Sequence, residues 1–221
     1  MLFLTDRPYP FDYNRHALDR YLQAARYLGC TINSWKGEVP LGQGDRQRID
    51  RLLAEHFSPS ESLVAINPMA RWVTKLWDEE RFASLARRIQ QELSCKVLFT
   101  GSPSDRSVIE RIIEGISPRP LNLAGLTTLR ELACLYTHCR LVVTTDTGPM
   151  HIAAAMGAPV VALFGPTAPW RTGPYGKGHT VIRESLECSP CFKKKCSHQT
   201  CMKSITVEKV FETVKQHVNE R

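Results

Sequence analysis

Two stretches of this sequence place polar, ligand-capable residues where packing gives no reason for them. In VTTDTGPMHIAAAMGAPVVALFGPT, residues 143–167, an apolar run gives way to Thr145, Asp146, Thr147 and Gly148. An Ala-rich helical pattern and a second apolar run ending at Thr167 follow. In INPMARWVTKLWDEERF, residues 66–82, an apolar run again ends in a polar cluster, here Asn67, Arg71, Thr74 and Lys75, before a helix opens. Beyond the carboxyl end of a parallel strand, a helix N-terminus turns unpaired N–H groups outward, and a phosphate is the natural guest. Gly148 lets the backbone approach such an anion, and His151, one turn in, can donate to a phosphate oxygen. Lys75, between Trp72 and Trp77, offers a compact ammonium to a leaving diphosphate. Asp146 is ill matched to phosphate by charge and suits sugar hydroxyls or the capping of its own turn. A plainer reading stands beside each: Asp146 and Thr147 as helix caps, His151 as a satisfied histidine, Lys75 as a surface lysine whose stem covers aromatic rings. Two such clusters on one sheet edge favour a ligand.

A third cluster carries different chemistry. Cys188, Cys191, Cys196 and Cys201 in CSPCFKKKCSHQTC follow C-x₂-C-x₄-C-x₄-C spacing, close enough to fold four thiolates around one metal, with Lys193, Lys194 and Lys195 offsetting their charge. Structural zinc is the first metal expected. An iron–sulfur cluster, disulfides and free thiols in a basic surface loop stay open, and His198 is a substitute ligand. The remaining cysteines, Cys30, Cys95, Cys134 and Cys139, are scattered in apolar surroundings.

The elements that must position these residues follow from periodicity. From Leu63 onward, short apolar runs (LVAIN, KVLFTG, LVVTT, PVVALFG) alternate with helical patterns, which means βαβ units and an α/β fold: a Rossmann-like parallel sheet flanked by helices. Thr128 and Glu131 stand in capping-box spacing, Pro149 sits near the first position of its helix, and Thr206 precedes a final amphipathic helix carrying Val207, Val210, Phe211, Val214 and Val218. Before Leu63, NRHALDRYLQAARYLGC reads as an amphipathic helix ending at Gly29, and a short polar helix begins near Asp45. The expected organisation is a helical appendage over 1–60, a Rossmann-like domain over 61–205 that includes the 188–201 loop, and a C-terminal helix over 206–221.

Bulk properties bound the rest. A chain of 221 residues suits one well-buried α/β domain with additions, and a 43% hydrophobic, 23% charged composition is ordinary for a globular protein. No apolar run approaches the roughly 20 residues needed to cross a bilayer, and MLFLTDRPYPFDYNRH lacks a secretory-signal pattern, so a cytoplasmic location is expected. The net charge of +7 favours acidic partners without choosing among them.

Taken in order, NPMARWVTKLWDEERFASLA, LFTGSPSDR, LAGLTTLRELACLY and TTDTGPMHIAAAMGAPVVALFGPT resemble the ADP-heptose:lipopolysaccharide heptosyltransferases of glycosyltransferase family 9. The resemblance runs from about Leu63 onward and implies the C-terminal, donor-binding half of a GT-B glycosyltransferase. It implies that Lys75, Asp146, Thr147 and Gly148 hold the donor diphosphate and sugar, with Thr74, His151 and Thr167 beside them. Asp105 then resembles a ribose-binding carboxylate, an alternative to an ordinary helix cap, and Leu126 and Thr127 become neighbours of the base. Implied too are a heptose transferred with inversion from ADP-heptose to a lipid-linked sugar acceptor at the inner membrane surface, no cofactor in the chemistry, and a structural part for the Cys-rich loop. The sequence departs from the pattern at Met69, where the family usually has glycine. It also lacks a complete N-terminal half before Leu63, the HALDRYLQAARYLG helix resembling only that half's closing element, so no catalytic residue is assigned.

Two other readings accompany this one: a truncated, non-catalytic nucleotide-sugar-binding module, and a nucleic-acid binder suggested by the lysine run and basic charge. The ordered motifs favour a nucleotide sugar over nucleic acid as partner. Without a second lobe, the apolar faces of the first and last helices should stay partly uncovered, which predicts a homo-oligomer or a separate N-terminal lobe as partner.

Overall fold

The protein is described by a computed structural model covering residues 12–33 and 37–220. The reading of the first sixteen residues as free of a secretory signal therefore falls mostly outside the described residues. Six parallel strands form one sheet: β1 (Leu63–Asn67), β2 (Lys96–Phe99), β3 (Leu121–Asn122), β4 (Leu141–Thr145), β5 (Val160–Leu163) and β6 (His179–Ile182). Their order is β3-β2-β1-β4-β5-β6, the doubly wound dinucleotide-binding arrangement. The chain leaves β1 for one edge and returns to β4 for the other, so a crevice opens between the carboxyl ends of β1 and β4. Register places Ile66 opposite Val143 and Asn67 opposite Thr144.

The strands are continuous apolar runs because both faces of the sheet are covered; every residue of β1, β4 and β5 is buried. One face packs against α3 (Glu79–Glu92), α4 (Arg106–Ile113) and α9 (Val207–Asn219). The other packs against α2 (Gln43–His56), α5 (Leu129–Thr137) and α6 (Gly148–Ala155). Helix α3 starts where the Asp78 carboxylate accepts from Glu80 N at 3.0 Å, and it buries Phe82, Leu85, Ala86 and Ile89 at helical spacing. The Thr128–Glu131 capping box opens α5, and Thr206 caps α9.

Helix α9 buries Val210, Phe211, Val214 and Val218, and the Arg88 guanidinium lies 3.7 Å over the Phe211 ring. Its apolar face is thus covered, against expectation, because α3 and the sheet already supply the partner. Helix α1 (Ala17–Tyr27) keeps the expected opening: Leu18 and Leu22 are half-buried, while Tyr21 and Leu28 are exposed. Helix α2 begins at Gln43 and runs fourteen residues, burying Ile49 and Leu53 against α5. Among the described residues, no helix is long and apolar enough to cross a membrane.

Candidate functional site

The site is built on the loops that follow β1, β2, β3 and β4. At the crevice, Asn67 Nδ2 donates to the Thr100 carbonyl at 3.0 Å and reaches Thr100 Oγ1 at 3.2 Å; that hydroxyl in turn meets Tyr136 OH at 3.0 Å. Asn67 is therefore satisfied inside the protein, tying β1 to β2. Burial pushes the Tyr136 phenol well above its usual range, so it stays a neutral member of this chain. Across the crevice, Thr145 Oγ1 donates to the Met69 carbonyl at 3.2 Å, fixing the loop after β1 against β4.

Lys75 and Asp146, 71 positions apart in sequence, meet at this rim. Lys75 Nζ lies 2.6 Å from Asp146 Oδ2 and 3.3 Å from the Asp146 carbonyl, with side chains 16% and 7% exposed. Thr167 Oγ1 donates to the same Asp146 oxygen at 2.6 Å. A pair this enclosed is costly to break from one side, because the survivor stays charged and partly desolvated. The ammonium also sits 4.6 Å from the Trp72 ring centre. Trp77 does not flank it: its indole N–H donates to the Ile205 carbonyl at 2.9 Å and its ring meets Phe82 edge-on in the core.

Asp146 and Thr147 do not act as side-chain caps of α6. Thr147 occupies the cap position without a side-chain hydrogen bond, and Pro149 stands in the first turn. The helix N-terminus is left open beside Lys75. A Cβ built on Gly148 would meet no atom within 4 Å, so the space over this turn is available for close approach.

A cleft of about 630 Å³ adjoins the turn, with Asn67, Met69, Ala70 and Arg71 on one side and Asp105, Thr127, Thr147 and Pro149 around it. Asp105 lines this cleft and is also a cap: its Oδ2 accepts from Ser102 N at 2.8 Å and Ser102 Oγ at 2.6 Å. The opposing loop reaches it through Gly125, whose φ of +75° favours glycine and whose Cβ would come within 2.8 Å of Pro103 Cα. Thr127 faces the cleft; Leu126 is not part of its lining and is instead 41% exposed, its carbonyl accepting from Arg48 at 3.0 Å. Ala70, Pro103 and Leu129 also line the cleft, and such small or apolar side chains gave no chemical signal in the sequence.

Two expected site residues point elsewhere. His151 lines a separate groove of about 580 Å³ with His16, Tyr21, Ala154 and Tyr175. Desolvation holds its imidazole below the ordinary value against the opposing pull of Asp146. Thr74 is buried, and its hydroxyl donates to the Lys193 carbonyl at 2.8 Å, a tether to the Cys-rich loop rather than a group facing the cleft.

That loop is pinned over the end of β5. Ser189 Oγ donates to the Gly165 carbonyl at 2.6 Å, and the amides of Cys191 and Phe192 donate to the Pro166 carbonyl at 3.0 and 2.8 Å. Among the described residues no group of three or more His, Cys, Asp or Glu side chains is arranged to hold a metal ion, so the expected ligand set of Cys188, Cys191, Cys196 and Cys201 is not formed in this structure. Cys188 is exposed, while Cys201 is buried in α8 (Thr200–Lys203). A Cβ on Gly165 would meet Cys201 Sγ at 3.0 Å and Met202 Sδ at 2.6 Å. Burial raises the Cys201 thiol above its usual range, whereas backbone N–H groups of Gln199 and His198 lower that of Cys196.

Comparison with known proteins matches this arrangement. The family model for glycosyltransferase family 9 (heptosyltransferase) covers residues 1–202. The chain is 33% identical over 199 residues to lipopolysaccharide heptosyltransferase 1 of Pseudomonas aeruginosa, covering 87% of this chain and 52% of that protein. It is 32% identical over 172 residues to the core heptosyltransferase OpsX of Haemophilus influenzae, covering 77% and 48%. The chain thus spans about half the length of these relatives. Among solved structures, a glycosyl transferase family 9 protein from Veillonella parvula superposes with a TM-score of 0.82 at 28% identity, over 94% of this chain and 61% of that one. The fold is shared also with E. coli heptosyltransferase WaaC with ADP, at a TM-score of 0.69 and 20% identity over 96% and 60% of the two chains. With the parallel sheet, the open helix end and the Lys75–Asp146 rim in place, the chain belongs to glycosyltransferase family 9, the heptosyltransferases.

Proposed function

We propose that this chain is the donor-binding half of a heptosyltransferase-like glycosyltransferase of lipopolysaccharide core assembly, which transfers a heptose from ADP-heptose to a lipid-linked sugar acceptor with inversion. The observation that carries this reading is the Lys75 ammonium, 2.6 Å from Asp146 Oδ2, beside the uncapped N-terminus of α6. An ammonium and open peptide N–H groups side by side suit the charge that grows on a diphosphate as it leaves the anomeric carbon. Asp105 and Thr127 wall the neighbouring cleft, which supports reading them as the groups that meet ribose and base. That a family neighbour was solved with ADP supports the same ligand here.

In the reaction, a carboxylate takes the acceptor hydroxyl proton, the oxygen attacks the anomeric carbon, and the C–O electron pair departs with the diphosphate. Asp146 is committed to Lys75 and Thr167, and the base is assigned to an N-terminal lobe facing this rim, with the acceptor at the inner membrane surface. Such a lobe would also cover Tyr21 and Leu28 of α1, which are exposed.

Titration calorimetry with ADP tests the proposal. Binding is expected, with Lys75→Ala weakening it by about tenfold or more, the worth of a charge-assisted contact. Undiminished affinity in that variant would remove the donor-site reading. Transfer assays on a core acceptor, with an N-terminal lobe supplied, then separate enzyme from module.

A further inference from the structure

The rim described above carries Arg71 in its cleft and the Lys75–Asp146 pair beside it. Lys75 is partly offset by Asp146 at 2.6 Å. A second ammonium stands at the same place: Lys194 Nζ lies 5.2 Å from the Trp72 ring centre, the ring that also carries Lys75 at 4.6 Å. Among the described residues no carboxylate pairs with Lys194, and its side chain is exposed. Its position is set by the backbone. The Thr74 hydroxyl, one residue from Lys75, holds the Lys193 carbonyl at 2.8 Å, and Cys191 and Phe192 hang from the Pro166 carbonyl, next to the Asp146 partner Thr167. The two chain segments that position the Lys75–Asp146 pair therefore also anchor the turn that carries Lys194.

We propose that the Cys-rich loop is a wall of the donor site and that Lys194 is a diphosphate-binding residue, a second ammonium at this rim that no carboxylate among the described residues pairs with. The proposal rests on the donor-site reading and extends it to a loop otherwise explained only by its thiols. In the ground state Lys194 faces the donor diphosphate across Trp72. As the sugar C–O bond breaks and its electron pair passes to the terminal phosphate oxygen, the interaction strengthens with the added negative charge. The aromatic face holds the ammonium without neutralising it, which suits a cation kept for an incoming anion.

Calorimetry with ADP and AMP on the 221-residue chain tests this. Lys194→Ala is expected to weaken ADP roughly fivefold, the scale of an exposed charge contact, while AMP, lacking the terminal phosphate, changes less. Lys194→Arg should keep most of the ADP preference. Lys195→Ala, on the same loop, should leave both ligands unchanged, and melting without ligand should be the same in all three variants because these side chains are exposed. If Lys75→Ala weakens ADP and Lys194→Ala does not, this inference fails and the donor site stands. Should neither substitution alter ADP binding, or the parent chain bind no ADP, both fall together.

Discussion

Two grooves flank the first turn of α6, and they are built from different parts of the fold. The larger, about 630 Å³, is made by loops at strand ends, and polar groups such as Asp105, Thr127 and Thr147 converge on it. The smaller, about 580 Å³, is a seam between α1, α6 and the segment after β5, walled by Ala154, Tyr21, Tyr175 and two histidines. The Lys75–Asp146 pair stands at the turn that separates them. The sheet thus aims its donors and charges toward one groove, while the other owes its apolar walls to helices packed side by side. The first is the groove proposed above to take the nucleotide.

Three substitutions sharpen the contrast. The largest effect is expected from Asp146→Ala at the divide, which leaves the Lys75 ammonium partly desolvated and unpaired. Stability in urea should fall by about 3 kcal/mol, and a change below a few tenths would mean that the ion pair is easily resolvated and does not brace the rim. Next comes the polar groove: Asp105→Asn should weaken ADP by about fivefold, near 1 kcal/mol for a hydrogen bond, and 2′-deoxy-ADP less. Equal losses for both nucleotides would reassign Asp105 to capping alone. The smallest effect belongs to the second groove. Desolvation holds the His151 imidazole below the ordinary 6.5. Its neutral form is therefore favoured in the folded state, and the stability linked to it is full above pH 6.5 and fades as pH falls through the lowered folded value. His151→Gln should flatten the melting temperature against pH below that point without altering ADP affinity at pH 8. An unchanged profile would show that the histidine is well solvated.

Much of this architecture is legible in the amino-acid order. LVAIN and LVVTT are β1 and β4 residue for residue, because a fully covered parallel strand has to be an unbroken apolar run. The approach of Lys75 to Asp146 follows from the rule that polar loops gather beyond the carboxyl ends of adjacent strands. Edge elements were harder to see. β3 has two residues and β6 four, in stretches dominated by Pro, Gly and charge, too short for any period to emerge. The side on which His151 falls was hidden for another reason: in GPMHIAAA the apolar residues run around the helix, so the pattern does not encode its roll on the sheet. Thiol spacing could not reveal that Cys201 would be drawn into the core beside Met202. Nor could a Trp-x-x-Lys spacing tell that Trp72 would receive a second lysine from a loop more than a hundred residues away.

The chain of dipoles from Asn67 through Thr100 to Tyr136 has a mechanical consequence. It staples the tips of β1 and β2 to one another and to a helix behind them, while Thr145 holds the loop after β1 against β4, so the floor of the mouth is braced on both sides before any guest arrives. A nucleotide entering there would meet a rigid anvil, and the gripping motion of a working cycle would have to come from whatever closes down on it.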